Sequence, residues 1–165
     1  MNIIILDNGS GIRRAFIKKF TMPWNEFQVR YKEWIQSMAE SNYTVRYEKL
    51  HLWELMDYPA ISYAQSLELL RSMQGDVFLM SENDSKPHCH GIVINRKEYK
   101  GGVAITDAAE LADLIEREWN EGGRHCILPE DLYVFDTAMK RLLAFTHEYD
   151  GKGNRYCKMH GFDCR

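Results

Sequence analysis

The sequence predicts an α+β fold, a single domain whose helices pack on a mainly antiparallel sheet with two late hairpins. Helical patterns come mainly early in the 165-residue chain and strand patterns mainly late. The connections between strand segments are of the hairpin type, which favours an antiparallel sheet over a doubly wound parallel one. We expect a globular domain over residues 1–148 and a C-terminal tail over 149–165, because the chain from Tyr149 onward shows no periodicity.

The early part of the chain carries the clearest helical pattern. Residues 2–6 contain three successive β-branched isoleucines, which predicts a short strand, and Ser10 can cap the helix that follows. From Pro23 onward, an apolar stripe at helical spacing predicts a longer helix with one buried face. Residues 43–58 predict a short strand or extended entry followed by a short helix. The stripe consists of Trp24, Phe27, Tyr31, Trp34, Ile35 and Met38.

The later part alternates short strands with two more helices. Ser62 and Gln65 form a capping box that opens a helix ending at Gly75. A further helix follows Thr106 and Asp107 and is ended by two glycines. The predicted strands are 76–80 with 91–95 as a first hairpin, 103–105 alone, and 132–135 with 142–146 as a second hairpin.

Composition and charge exclude several classes of function. The formal net charge is −3, so the chain lacks the basic footprint of a nucleic-acid-binding protein, and we expect no direct nucleic-acid binding. No apolar run approaches the roughly 20 residues that span a bilayer, and no signal peptide is recognisable. We therefore expect a cytoplasmic protein with reduced cysteines and no membrane association.

Three late residues are candidate metal ligands. Cys157, His160 and Cys164 lie within eight residues of one another, and thiolate and imidazole suit the tetrahedral preference of zinc. A fourth ligand could come from His125, Cys126 or His147. A tail without a metal is the favoured interpretation, and no cofactor is expected, since structural zinc sites usually show two closely spaced pairs of ligands. Zinc is the one cofactor that this pattern indicates.

The remaining clusters do not predict catalysis. In the segment 88–90, strand alternation would place Cys89 on the face opposite its two histidine neighbours. Residues 8–11 lack the lysine of a phosphate-binding loop, which favours an ordinary turn between a strand and a helix. The dipeptide His147-Glu148 ends a predicted strand and lacks the helical spacing of a two-histidine metal site. The sequence therefore assigns no catalytic residue, and a binding protein is favoured over an enzyme.

One segment resembles a known class of proteins. Residues 128–136, Leu-Pro-Glu-Asp-Leu-Tyr-Val-Phe-Asp, and residues 142–148, Leu-Leu-Ala-Phe-Thr-His-Glu, resemble the closing hairpin of small bacterial α+β proteins of the toxin-immunity or mobile-element type. Lys140 and Arg141 stand where such proteins would have a tryptophan. The resemblance implies a small acidic domain that binds another protein, and it brings no catalytic residues with it.

Two functions follow as expectations. The first is a non-catalytic immunity protein or phage-type inhibitor that neutralises a toxin or nuclease by binding it. Its partner would have a basic surface, because residues 51–95 carry an excess of Asp and Glu that could steer association. The alternative is a small zinc-binding protein or enzyme that uses the late His and Cys residues.

Overall fold

A computed structural model describes residues 2–83, 90–120 and 127–163 of the chain. These residues form a mixed α+β domain, as the sequence predicted. The helices are α1 (Gly9–Phe20), α2 (Trp24–Arg30), α3 (Lys32–Glu40), α4 (Tyr63–Ser72) and α5 (Ala108–Asn120). Two single 3-10 turns, Tyr47–Lys49 and Leu52–Leu55, lie between α3 and the first strand that follows it.

The strands form one large antiparallel sheet and one small hairpin. They are β1 (Ile4–Ile5), β2 (Ala60–Ser62), β3 (Asp76–Ser81), β4 (Ile92–Ile94), β5 (Lys97–Tyr99), β6 (Val103–Asp107), β7 (Leu132–Asp136), β8 (Leu142–Tyr149) and β9 (Arg155–His160). The large sheet has the order β1-β6-β3-β7-β8-β9-β2, and β4 pairs only with β5. The central strand β7 and its neighbour β8 come from the later half of the chain, and its other neighbour β3 comes from the first half.

Both faces of the sheet are buried, and strand β7 shows how. Leu132 and Val134 belong to the apolar cluster beneath α4 and α5, whereas Tyr133 and Phe135 belong to a second cluster beneath α1. Successive side chains of a strand point to opposite faces, so the alternation splits these four residues between the two clusters. Phe16 of α1 is fully buried against Tyr133 and Phe135.

The pairing of the hairpins matches the prediction in one case and differs in the other. Strands β7 and β8 pair as predicted, with Leu132 opposite Phe145. The first predicted hairpin is wrong, because β3 pairs with β6 on one side and with β7 on the other. Strand β4 pairs with β5 instead, across a tight turn at Asn95 and Arg96 with positive φ angles.

The C-terminal segment contains a strand of the sheet. Residues 149–165 were expected to form a tail, yet β9 lies between β8 and β2 in the large sheet. Cys157 of β9 is buried in the cluster beneath α4 and α5. The segment lacks a clear sequence signal because its strand mixes Tyr156, Cys157 and Met159 with the polar Arg155, Lys158 and His160, which are half-buried.

The long amphipathic helix predicted from Pro23 is two helices with little burial. At Tyr31 the backbone leaves the helical region, with φ −115° and ψ 28°, and this separates α2 from α3. Of the apolar stripe, only Phe27 is buried, while Trp34 is 39% exposed. The stripe faces a satellite cluster formed with Met22, Leu50 and Leu55 rather than the sheet. We call α2 and α3 together the arm.

No helix in the described ranges combines the length and the apolar character needed to cross a bilayer.

Candidate metal centre

Two histidines and an aspartate from distant parts of the chain meet on the α1 side of the sheet. His51 directly precedes the 3-10 turn Leu52–Leu55, Asp131 directly precedes β7, and His147 lies in β8. One ligand atom from each residue lies within 4.8 Å of the others. We call these three residues the histidine–aspartate cluster.

The backbone around His51 is fixed by polar contacts on both sides. The His51 N–H donates to Oε2 of Glu54 at 2.7 Å, which caps the 3-10 turn. The N–H of Leu52 donates to Oε1 of the buried Glu82 at 2.8 Å, and the N–H of Trp53 donates to the hydroxyl of Tyr133 at 3.0 Å. These contacts satisfy the unpaired donors at the start of the turn and hold His51 above the sheet.

Both carboxylate oxygens of Asp131 contact His147, and each has further partners. Its Oδ1 accepts hydrogen bonds from Nε1 of Trp53 at 3.0 Å and from the backbone N–H of His147 at 3.1 Å. Its Oδ2 lies 2.9 Å from Nδ1 of His147 and 3.8 Å from Nδ1 of His51. Oδ1 also lies 3.0 Å from Nδ1 of His147, so both carboxylate oxygens face that ring and Oδ2 faces the His51 ring as well.

His147 owes its position to an irregularity in β8. The register between β8 and β9 shifts between Phe145 and Tyr149, and His147 lies inside that shift. A bulge of this kind re-aims a side chain that regular alternation would send elsewhere. On its outer side, Nε2 of His147 lies 3.3 Å from Oε1 of Glu148.

A second buried carboxylate adds negative charge beneath the cluster. The side chain of Glu82 has no exposed surface, and its Oε1 lies 3.7 Å from Nδ1 of His51. The Tyr133 hydroxyl donates a hydrogen bond to the same oxygen. Burial, together with the charge of Glu82, raises the pKa of Tyr133 well above its usual value, so the phenol keeps the proton that it donates.

Aromatic rings enclose the two imidazoles without sealing them from solvent. The His51 ring stacks on Trp53 with centroids 5.5 Å apart, and the His147 ring meets both rings edge-on. The side chain of His51 is 24% exposed and that of His147 34%. Lys158 approaches Trp53 from the other side, where its Nζ donates to the carbonyls of Trp53 and Met56 at 2.8 Å each. The cluster is thus held by contacts with the protein and remains partly exposed to solvent.

The late residues predicted as zinc ligands are placed differently. Burial raises the pKa of the Cys157 thiol, which opposes the thiolate form that binds metals. His160, three positions along β9, stacks on Tyr58 with ring centroids 4.5 Å apart on the opposite face of the sheet. The described residues do not bring Cys157 and His160 together. Cys164 lies outside them, so a site formed by all three remains a prediction.

Most of the other candidate residues from the sequence lie outside the described residues, and one belongs to the histidine–aspartate cluster. His125, Cys126, His88 and Cys89 lie outside the described residues. Of the proposed fourth ligands, His147 belongs to the histidine–aspartate cluster. Sequence reasoning missed His51 and Asp131, which are 80 positions apart. It considered His147 a strand end or a fourth ligand for the late Cys and His residues, not a partner of Asp131. The Pro-Glu-Asp segment before β7 was singled out for its resemblance, but nothing local to it indicates a ligand.

Comparison with known proteins gives no match. No protein-family model, curated protein or solved structure matches the chain.

The acid–base state of His51 predicts how the metal-free protein responds to pH. Burial opposes the charged imidazole, but the interaction with Glu82 and the negative charge of Asp131 more than offset it, so the pKa of His51 is raised above 6.5. A raised pKa means that the protonated ring stabilises the fold below about pH 6.5, and that this stabilisation is lost as the pH rises through the folded value.

We therefore expect the melting temperature of the wild type in chelator to fall between about pH 6 and pH 8. In His51→Gln this part of the pH dependence should be absent, because the substituted side chain does not titrate. Thermal unfolding at several pH values measures both. A wild-type profile parallel to that of the variant would contradict the assignment.

Proposed function

We propose that the chain binds one transition-metal ion, with zinc the best fit, at His51, Asp131 and His147. The observation that carries the proposal is the convergence of two imidazole nitrogens on one carboxylate oxygen, at 2.9 and 3.8 Å from it. In a tetrahedral zinc site with metal–ligand distances of about 2.0–2.1 Å, neighbouring donor atoms are roughly 3.3 Å apart. The two observed separations bracket that value.

The chemistry of the donors supports the same choice. Two neutral imidazoles and one carboxylate form a mixed nitrogen–oxygen set, which suits zinc better than magnesium or calcium. Without a cation, the lone pairs of His51, Asp131 and His147 would face one another, and a proton has to separate them. Because a histidine ligand has to be neutral, protonation of the imidazoles competes with the metal ion, and the metal affinity increases as the pH rises.

The surroundings resemble the support that metal ligands usually have. Metal-binding histidines commonly contact a carboxylate through their other nitrogen, as His147 does with Glu148. The ligand Asp131 is itself held by Trp53 and by the backbone of His147. The buried carboxylate of Glu82 adds negative charge that favours a cation nearby. These contacts would hold Asp131 and His147 in place before a metal arrives.

Three protein ligands leave a fourth tetrahedral position. Sites of this composition, with two histidines and one carboxylate, keep that position for water or a substrate, whereas structural sites fill it with a fourth side chain. The partial exposure of the His51 and His147 side chains supports a fourth position that faces solvent. The proposal is therefore a metal site that is accessible from solution.

Zinc stoichiometry tests the site directly. Metal-free wild type, titrated with zinc and freed of excess, should retain one ion per chain by elemental analysis. Loss of an outer-shell partner lowers metal affinity by up to about 100-fold. Because His147→Gln removes a direct ligand, it should lower the zinc affinity by more than that. His160→Gln is the matched control. This histidine stacks on Tyr58 outside the cluster, so the variant protein should bind zinc with the wild-type affinity.

A zinc affinity that survives His147→Gln but is lost in His160→Gln would contradict the cluster. It would place the ion at the late Cys and His residues instead. Failure of the wild type to bind zinc at all would contradict both sites.

Protein binding is a second candidate function, supported by apolar side chains outside the core. On and just after the arm, Val29 is 79% exposed, Tyr43 67% and Trp34 39%. Exposed apolar and aromatic residues of this kind are typical anchors of protein interfaces. The proposed partner is a toxin or nuclease with a basic surface, which the chain would neutralise by binding.

The acidic residues expected to steer such a partner are only partly available on the surface. Glu82 is buried, and Asp57 forms an ion pair with Arg30 of the arm. Asp84 lies outside the described residues. Glu68 and Asp76 are exposed, so they can contribute to long-range attraction.

An interface on the arm predicts a selective loss of binding. In titrations against the purified product of a neighbouring gene, Trp34→Ala should weaken the complex by about 30-fold, the effect of losing a typical aromatic anchor. Tyr149→Ala removes a 63% exposed aromatic side chain from β8 and serves as the control. Equal affinity of Trp34→Ala and the wild type would exclude the arm as the interface.

A further inference from the structure

Among the described residues, the apolar contacts of the arm run mainly to Met22 and to one later segment of the chain. Phe27 of α2 packs with Met22, Leu50 and Leu55, and among the described residues this cluster includes none from the sheet. Trp24 meets the ring of Tyr47 at 6.0 Å, and Arg30 forms an ion pair with Asp57. We call residues 47–57 the connecting segment. The position of the arm therefore depends on the position of the connecting segment.

The connecting segment is itself held to the sheet at the histidine–aspartate cluster. His51, Leu52 and Trp53 form its middle, and their contacts run to Asp131, Glu82 and Tyr133. The His51 contact to Asp131 is long, at 3.8 Å, whereas His147 and Asp131 are already joined within β7 and β8 at 2.9 Å. A metal ion would replace this long contact with two coordination bonds.

We propose that metal occupancy of the histidine–aspartate cluster controls the order of the arm. The inference rests on the proposed metal site and adds regulation to it. His51 is the one ligand that the connecting segment contributes, while His147 lies in β8 and Asp131 directly before β7. Coordination would therefore add a bond at His51 to the hydrogen bonds that hold Leu52 and Trp53. Restricting the segment restricts Leu50 and Leu55, which form the surface on which Phe27 packs. The exposed side chains of Val29 and Trp34 are then presented in one arrangement.

Thermodynamic linkage makes this coupling reciprocal. If the metal favours the ordered arm, an ordered arm favours the metal by the same factor. A substitution that loosens the arm should thus weaken zinc binding, although it touches no ligand. Such an effect would not arise if the arm and the cluster were independent.

Hydrogen exchange of the full chain tests the first direction. Zinc should slow amide exchange in peptides covering residues 24–40 of the wild type, with no such change in His147→Gln, whose substitution lies in the sheet and leaves the connecting segment intact. Helix α5 is the internal reference, since its core face packs beneath the other side of the sheet. Zinc that binds stoichiometrically and slows exchange only in residues 47–57 would overturn the inference while leaving the metal site in place.

Zinc affinity of arm variants tests the reverse direction. Phe27→Ala removes the buried anchor of the arm and should weaken zinc binding by about 5-fold or more, the lower end of typical coupling between sites. Val29→Ala, on the exposed side of the same helix, should leave the affinity unchanged. Equal affinities in the two variants would overturn the inference, and if Phe27→Ala does not fold, the exchange experiment decides. A wild type that binds no zinc would overturn both the metal site and its regulation.

Discussion

The carboxylate of Asp131 joins parts of the chain that are otherwise far apart. Its Oδ1 binds the indole of Trp53 and the backbone of His147, while its Oδ2 faces both imidazoles of the cluster. A buried carboxylate without these partners would cost several kcal/mol, so the chain has to provide them. Asp131 is only 7% exposed, and it thereby requires the segment that carries His51 to lie close against β7 and β8.

Glu82 and Tyr133 extend the same constraint into the core. Tyr133 is fully buried within the cluster beneath α1, and its hydroxyl accepts from Trp53 while it donates to Glu82. Removing one member would leave a buried polar group without a partner, which typically costs about 1–3 kcal/mol. The polar contacts are therefore structural in their own right, and the metal site proposed above is built on them rather than beside them. The same residues would serve stability and ligand geometry together.

Whether the sequence predicts a feature of this structure depends on how far apart in the chain the contacting residues lie. The β7–β8 hairpin is predictable because Leu132 and Val134 alternate with Tyr133 and Phe135 over a short turn. The partners of β3 are not, since both come from later in the chain and no local pattern selects between β4, β6 and β7. The predicted burial of the arm is wrong for a different reason. Helical spacing indicates that one face is apolar, but it does not show that other parts of the chain cover that face. The candidate site is not predictable from the sequence for the same reason as the partners of β3, because only folding brings His51 close to Asp131.

X-ray absorption at the zinc edge of the stoichiometric complex tests the central claim most directly. Coordination by His51, Asp131 and His147 predicts a first shell of nitrogen and oxygen at about 2.0–2.1 Å, with the outer-shell scattering of two imidazole rings. Cysteine ligands would instead add a sulfur shell at about 2.3 Å. A spectrum with two imidazoles and no sulfur supports the histidine–aspartate cluster, and a sulfur shell would contradict it in favour of the late cysteines.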